Sequence, residues 1–275
     1  MSAFLLAVRS GFGFLSTIPV GITMEGLDEL MKRSYLFTFV GAVLGLIIGG
    51  FAFVFETIFP PQISAVFIIA SIYYLTGLNH LDGLADFGDG ATAHGSLEKK
   101  IGALKDMSLG IGGVAYAVIA LVALYASITA LQNEAALFSR GVNTAVIVLM
   151  SMFIAEVSAK QAMLTIAAFG KPIHEGLGSI AINNTNLTRF TIGLLFGAAA
   201  CMLAFGIFGI LALLASIISA LVVLNISNRH FGGVNGDCIG TANEIGRIVA
   251  LMTIVVLMHI VVTKSGTWSI AWMQL

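Results

Sequence analysis

Long apolar stretches recur along this 275-residue chain, and they constrain its fold more than any other feature. The first covers residues 36–55, whose 20 residues at about 1.5 Å each match a bilayer hydrocarbon core of about 30 Å. Hydrophobic residues make up 58% of the chain and charged residues only 10%, which is outside the range of soluble domains. The sequence therefore predicts an all-α, polytopic helical membrane protein.

Further apolar stretches cover residues 63–78, 109–131, 143–169 and 248–262. A longer one, 190–224, would form a helix of about 52 Å, too long for one crossing, so we predict two spans that turn near Gly206 and Gly209. This gives about seven transmembrane helices in one integral-membrane domain, residues 1–275. Residues 3–20 carry Arg9 among apolar residues, and we predict a short interfacial or re-entrant helix there.

Three polar segments, residues 80–107, 170–189 and 225–247, are predicted to be loops on one membrane face. Ten Lys and Arg residues fall on that face, among them Arg247, whereas only Arg140 and Lys264 fall on the other. Because basic residues mark the cytoplasmic side, these loops are predicted to face the cytoplasm from the cell membrane. A net charge of −1 and the absence of a long basic run argue against nucleic acid as a partner.

Three acids follow the second span at steps of four and three: Asp82, Asp86 and Asp89. A helix continuing through them puts all three on one face, which Asn79 joins. Since like charges at these spacings repel, the face favours a bound cation, and oxygen ligands suit Mg²⁺. The alternative is that they are solvated residues capping helix ends in a loop.

The last polar segment repeats the pattern, because Asp237, Thr241 and Glu244 follow the same step of four and three. Glycines before them permit turns whose N–H groups cradle phosphate oxygens. An ordinary loop is the alternative. With Asp237 and Glu244, this segment resembles half of an anion-and-metal site. The other groups that contribute are Arg229, Gly232, Gly233, Gly236 and Asn243.

Other charged residues lie within or beside the spans. Glu156 and Lys160 are four residues apart in the fourth span, where ionisable residues are functional candidates; the alternative is a self-neutralising pair. Lys105, next to Asp106, either marks the interface before the third span or contacts a ligand. Among the histidines, His80 and His230 adjoin the two acidic segments.

Four segments of the chain resemble the cobalamin synthase family, also called adenosylcobinamide-GDP ribazoletransferases. They are TGLNHLDGLADFGDG at 76–90, FLSTIPV at 14–20, KDMSLGIGG at 105–113 and GGVNGDCIGTANE at 232–244. The chain departs from the family pattern at Asn79, often apolar, at Asn235, usually Thr, and at Lys160, where Arg is common.

The resemblance implies a multi-pass Mg²⁺-dependent phosphotransferase whose substrates are adenosylcobinamide-GDP and α-ribazole or α-ribazole 5′-phosphate. Its products are GMP and adenosylcobalamin or its phosphate. By resemblance, the metal ligands are Asp82, Asp86, Asp89 and Asp237, and Asp89, His80 or Glu244 assists deprotonation of the attacking hydroxyl. The implied substrate-binding residues are Asn79, Lys105, Asp106, Lys160, Arg229, Gly232, Gly233, Asn235 and Asn243.

Two other functions fit the sequence less well. A CDP-alcohol phosphotransferase also has an acidic motif with Asp-Gly, but there Ala-Arg follows, whereas Asp86 follows Ala85 here. A cation-coupled secondary transporter would carry its polar residues near the bilayer midplane, whereas most acids here lie at helix ends. Besides its substrates, the lipid bilayer is the predicted partner, and the sequence does not decide whether a homo-oligomer forms.

Overall fold

The computed structural model describes residues 2–106, 108–138 and 143–264, and these form eleven helices and no strand. The all-α prediction is confirmed. The helices are α1 Ala3–Leu15, α2 Met24–Met31, α3 Leu36–Ile58, α4 Pro61–Thr76, α5 Asn79–Thr92, α6 Leu97–Leu104, α7 Ile111–Phe138, α8 Thr144–Phe169, α9 Leu177–Asn184, α10 Leu187–Phe231 and α11 Gly236–Lys264.

Local sequence sets several of the helix boundaries. Pro61 occupies the first turn of α4, where its missing N–H costs nothing. Asn143 caps α8 by accepting the Ala145 N–H at 2.9 Å. Asn186 caps α10 in the same way, accepting an N–H from the first turn.

Five helices in the described part of the chain are long and apolar enough to cross a membrane: α3, α7, α8, α10 and α11. The bent pair α4 and α5 makes a sixth if it is one span. The multi-pass prediction is therefore confirmed, while the total of seven stays a prediction, because it requires both halves of α10 to cross separately. The apolar helix α1 has only 13 residues, in keeping with the short N-terminal helix expected there.

Helix α10 consists of two arms that fold back on each other. Phe205 and Gly206 have non-helical dihedral angles, and Gly206 adopts φ 57°, a conformation that suits glycine. A Cβ on Gly197 would lie 3.7 Å from the Leu213 side chain, although 16 residues of straight helix span about 24 Å. The predicted turn near Gly206 is confirmed.

Helix α8 lies at the centre of the bundle, with nearly every side chain buried against α3, α10 and α11. Three glycines of α3 let it approach closely: Cβ atoms at Gly41, Gly45 and Gly49 would lie 2.7 to 2.9 Å from α8 carbonyl oxygens. Small residues in the contact are typical of membrane helix pairs. The polar side chains of α8 from Ser151 to Thr165 are therefore buried in protein rather than exposed to lipid.

Two of the predicted loops are largely helical, which corrects the sequence analysis. Most of residues 80–107 form α5 and α6, and residues 225–247 form the end of α10 and the start of α11, with only 232–235 between them. The acids of α5 do lie on a helix, but α5 does not continue α4, since the two are bent by 96°. Residues 170–189 contain α9. Arg140 lies outside the described residues.

Candidate functional site

The bend between α4 and α5 depends on a glycine. Gly77 ends α4 with φ 72° and ψ 178°, a backbone conformation that other residues rarely adopt. From the segment after α1, Thr17 holds this bend in place: its N–H donates to Leu75 O at 2.8 Å and its hydroxyl to Tyr74 O at 2.7 Å. The motif segment 14–20 is thereby joined to the last turn of α4, which leads into the motif segment 76–90.

Helix α5 then packs against the beginning of α11. A Cβ at Gly83 would lie 3.0 Å from the Asp237 Cα, and one at Gly240 would lie 3.2 Å from the His80 Cα. The Thr241 hydroxyl is 3.3 Å from Gly83 O. Because glycine allows this close approach, the segments 76–90 and 232–244 meet backbone to backbone although about 150 residues separate them in the sequence.

Four acids gather where these helices meet, and Asp82, Asp86, Asp89 and Asp237 are named the acidic cluster here. Asp86 is partly buried, and the carboxylates of Asp237, Asp82 and Asp89 are close enough to repel its charge. The Asp82 carboxylate also repels that of Asp237. The structure thus brings the four predicted metal ligands together at one end of the bundle, with an excess of negative charge.

Asp89 also connects α5 to the start of α7. Its carboxylate accepts N–H groups from Gly110 and Gly113, both at 2.8 Å, at the start of α7. A carboxylate is favourable there because the first N–H groups of a helix lack intrahelical partners. Asp89 therefore joins the motif segment 105–113 to α5.

The glycine turn, residues 232–235, is held firmly. Gly232 ends α10 with φ 73°, and Val234 pairs with the segment before α9, donating to Lys171 O at 2.8 Å and accepting from Ile173 N at 3.0 Å. Asn235 accepts the Cys238 N–H at 3.1 Å and donates to Asp237 Oδ2 at 2.6 Å. Asn235 therefore caps α11 and orients one acid of the cluster.

A second polar group lies deeper in the bundle, and five of its residues close into a cycle. Lys160 donates to Asn243 Oδ1 at 2.7 Å, Asn243 donates to Glu244 Oε1 at 2.8 Å, and Arg247 donates to Glu244 Oε2 at 2.6 Å. Glu156 accepts from both Arg247 and Lys160. This cycle is named the buried ring.

The charges of the buried ring balance, because two carboxylates face one guanidinium and one ammonium. Lys160 and Arg247 are 0% exposed, and Glu156 and Glu244 are 1% exposed. One further helix contributes, since the Tyr73 hydroxyl of α4 donates to Glu244 Oε2 at 2.9 Å. Glu244 thus receives three donors, and it lies away from solvent.

Sequence reasoning missed Arg247 and Tyr73. Arg247 was expected at the cytoplasmic face, and its complete burial corrects that assignment. The signal available was its spacing: three residues after Glu244, a basic side chain can pair with an acid on the same helix. Tyr73 carried no comparable signal, since its partner lies 171 residues away in the sequence.

The remaining predicted site residues differ in exposure. Asn79, Lys105, Asp106 and Arg229 are exposed, and Asp106 accepts the Ser108 N–H at 3.0 Å. His80 has a buried Nδ1 without a hydrogen-bond partner among the described residues. The structure therefore separates the predicted site residues into an accessible set and a buried set, the latter being Lys160, Gly233, Asn235, Asn243 and Glu244.

The acidic cluster has the donor chemistry of a Mg²⁺ site, because its side chains offer carboxylate oxygens. In the described part of the chain, no three His, Cys, Asp or Glu side chains are arranged to hold a metal ion by themselves. Mg²⁺, however, is usually held by one or two carboxylates and completes its shell with water and substrate phosphates. The gathering of these carboxylates at the contact between α5 and α11 fits a cation, so the residues present are compatible with Mg²⁺ carried by a phosphate substrate.

The fold and the site define a multi-pass helical membrane protein in which four separated motif segments converge on a cluster of carboxylates. A family model described as Cobalamin-5-phosphate synthase matches residues 7–255. The chain belongs to this family, as the sequence resemblance indicated.

Curated relatives agree with this assignment, and each bears the name adenosylcobinamide-GDP ribazoletransferase. A protein of Methanococcoides burtonii is 62% identical over 275 residues, 100% of both chains. One of Methanosarcina barkeri is 56% identical over 268 residues, 94% of this chain and 95% of the relative. One of Archaeoglobus fulgidus is 31% identical over 239 residues, 86% of this chain and 91% of the relative. No solved structure matches the chain.

Proposed function

We propose that the protein is a membrane-bound phosphotransferase that uses adenosylcobinamide-GDP and α-ribazole, or α-ribazole 5′-phosphate, and releases GMP. The names of the relatives supply the reaction. The observation that carries the proposal is the contact of Gly83 with Asp237, which unites the acidic face of α5 with the glycine turn before α11. Neither the transporter nor the CDP-alcohol phosphotransferase requires these two segments to meet.

The reaction exchanges one phosphorus–oxygen bond for another. A hydroxyl of the ribazole ribose attacks the phosphorus bound to cobinamide, the bond from that phosphorus to the bridging oxygen breaks, and GMP leaves with the bridging oxygen. The proton of the attacking hydroxyl passes to a base. Such a transfer depends on in-line positioning and on neutralising phosphate charge, more than on covalent chemistry by the protein.

Asp82, Asp86 and Asp237 are the residues proposed to hold Mg²⁺. When bound, the metal neutralises charge on the diphosphate. Asp82 is exposed and Asp86 and Asp237 are partly buried, so their free oxygens are accessible to a substrate that brings its own phosphate ligands. Asp89 is a weaker ligand candidate, because both of its oxygens already accept backbone N–H groups.

Other residues of the accessible set are proposed to orient the substrates. Lys105 and Arg229 are exposed cations suited to the outer phosphate oxygens, and Asn79 begins α5 beside the cluster. Of the three candidate bases, Glu244 suits the role least, since its carboxylate is buried and already accepts three hydrogen bonds within the protein. Asp89 and His80 remain the candidates for the base.

The test is release of GMP by the purified full-length protein in detergent or nanodiscs. GMP is expected to appear only when adenosylcobinamide-GDP, α-ribazole and Mg²⁺ are all present, and a chelator should stop it. An Asp82→Asn variant should be inactive, whereas Asp28→Asn, an exposed acid on α2, should retain activity. Failure of the wild-type protein to release GMP under these conditions would overturn the proposal.

We further propose that the acidic cluster faces the cytoplasm from the cell membrane. Ten basic residues are assigned to that side by the sequence. Arg247 is removed from this count because it is buried, and nine remain. Both native cysteines are buried, so a thiol reagent that does not cross membranes will report an introduced cysteine. Ser96→Cys should label only from the cytoplasmic side and Asn133→Cys only from the opposite side; the reverse pattern would refute the orientation.

A further inference from the structure

Tyr73 has no role in the proposed reaction, yet its side chain reaches from α4 to the buried ring. Its hydroxyl donates to Glu244 Oε2 at 2.9 Å and so ties α4 to the buried ring. The Tyr73 carbonyl oxygen accepts the N–H of Gly77, also at 2.9 Å. Tyr73 therefore stands one helical turn before the bend that aims α5.

The bend itself has little side-chain material to hold it. Gly77 adopts φ 72° and has no side chain, and Leu78 after it is exposed. Two polar attachments instead hold the last turn of α4 just before the bend: Thr17 donates to the Tyr74 carbonyl oxygen, and the Tyr73 hydroxyl donates to the buried ring. Besides the packing of α5 against α11 and its Asp89 contact with α7, two hydrogen-bonded attachments of α4 thus help to set the direction of α5.

Helix α11 links this attachment to the acidic cluster. Asp237 and Glu244 are seven residues apart, which is about two turns, so they lie on the same face of α11. Between them, Thr241 contacts Gly83 O of α5. One face of α11 therefore carries an acid of the cluster, a contact with α5 and the partner of Tyr73.

We propose that Tyr73 is a positioning residue for the acidic cluster. By binding Glu244, its hydroxyl fixes the bend between α4 and α5 relative to α11, and this fixes the distance from Asp82 and Asp86 to Asp237. The expected effect on Mg²⁺ binding rests on the proposed function, whereas the hydrogen-bonded link between α4 and α11 does not. Tyr73 touches neither substrate nor metal in this proposal.

The test compares two neighbouring tyrosines. Tyr73→Phe removes the hydroxyl that binds Glu244, while Tyr74→Phe removes a hydroxyl from a side chain that is 80% exposed and makes a matched control. In Tyr73→Phe, the Mg²⁺ concentration for half-maximal GMP release should rise about threefold or more, in line with loss of one charge-assisted hydrogen bond. The rate at saturating Mg²⁺ should stay within about twofold of wild type.

A general loss of stability gives a different result. It lowers the amount of active protein and hence the maximal rate, but leaves the half-maximal Mg²⁺ concentration unchanged. A reduced maximal rate with an unchanged Mg²⁺ midpoint would therefore overturn the positioning role. Tyr74→Phe should leave both quantities at the wild-type values.

A second readout needs no activity. Nitroxide labels at His94→Cys, just beyond α5, and Gly236→Cys, where an added side chain meets open space, report the distance between α5 and α11 by pulsed EPR. The distance distribution should broaden or shift on adding Tyr73→Phe and should not change on adding Tyr74→Phe. An unchanged distribution in Tyr73→Phe overturns the proposal. If the distribution changes but the wild-type protein releases no GMP, the positioning link stands and the proposed function fails.

Discussion

The acidic cluster and the buried ring are built from similar parts and reach opposite electrostatic states. Both place charged side chains at three- and four-residue steps on helices, and both involve α11. The ring matches Glu156 and Glu244 with Lys160 and Arg247 and shuts out solvent. The cluster surrounds Asp86 with three more carboxylates and leaves its members partly accessible.

The difference teaches how to tell a structural charged group from a site. Burial of an ion is costly unless its partners are close and well oriented, and the ring meets that condition with hydrogen bonds within the protein. Among the described residues, no Lys or Arg side chain forms an ion pair with the cluster. A cation from outside would offset its excess negative charge, which is what a ligand-binding site requires.

The largest effect is expected from breaking the ring at its only guanidinium. Arg247→Met leaves Glu156 and Glu244 buried without that partner, and loss of one member of a buried ion pair costs about 3–5 kcal/mol. Thermal unfolding in detergent should show a much lower midpoint. Arg229→Met, an exposed control on α10, should leave the midpoint nearly unchanged.

The double variant Arg247→Met with Glu156→Gln sharpens this comparison. It removes one of the two stranded carboxylates, so part of the lost stability should return. If the single variant unfolds like wild type, the ring contributes nothing to stability and its contrast with the cluster disappears.

The cluster should respond in the opposite way to loss of a charge. Asp86→Asn relieves repulsion, so the unfolding midpoint should stay level or rise slightly, while GMP release should fall about 100- to 1,000-fold because a group that stabilises transferred charge is lost. Both quantities are measured on one preparation. A variant that loses stability and activity in proportion would mean that the cluster, like the ring, is structural.

The contact between α5 and α11 should be sensitive to a single methyl group. Gly83→Ala puts a Cβ 3.0 Å from the Asp237 Cα, so the helices must separate slightly, at a cost of about 1–3 kcal/mol. Gly50→Ala on α3 is the matched control, since nothing lies within 4 Å of its Cβ, and it should be neutral or stabilising. Unfolding midpoints that move equally in both variants would show that the close approach at Gly83 has no energetic weight.

Much of the fold could be predicted from the sequence because bilayer thickness imposes a length on apolar helices. Residues 143–169 were predicted as one span and form α8 almost to the residue, and residues 190–224 turn at Gly206 as their length required. The common face of Asp82, Asp86 and Asp89 followed from helical spacing alone.

What could not be predicted depends on contacts between distant residues. Residues 79–92 look like a polar loop because small and charged residues interrupt their apolar positions, yet α5 buries Leu84 and Phe87 and uses Gly83 as a packing surface. In the sequence, Arg247 resembles an interfacial arginine. Its partner Glu156 lies on α8, 91 residues earlier in the chain, and the pairing is seen only in the fold. Periodicity identifies a face of a helix but not its partner.

Binding of Mn²⁺, observed by its EPR signal as a substitute for Mg²⁺, tests most directly whether the cluster is a cation site. With adenosylcobinamide-GDP present, the wild-type protein should bind Mn²⁺ at least about tenfold more tightly than Asp86→Asn or Asp237→Asn, as loss of one ligand charge requires. The exposed control Asp28→Asn should bind like wild type. Equal Mn²⁺ affinity in the wild-type protein and both cluster variants would contradict the assignment of these acids to a metal.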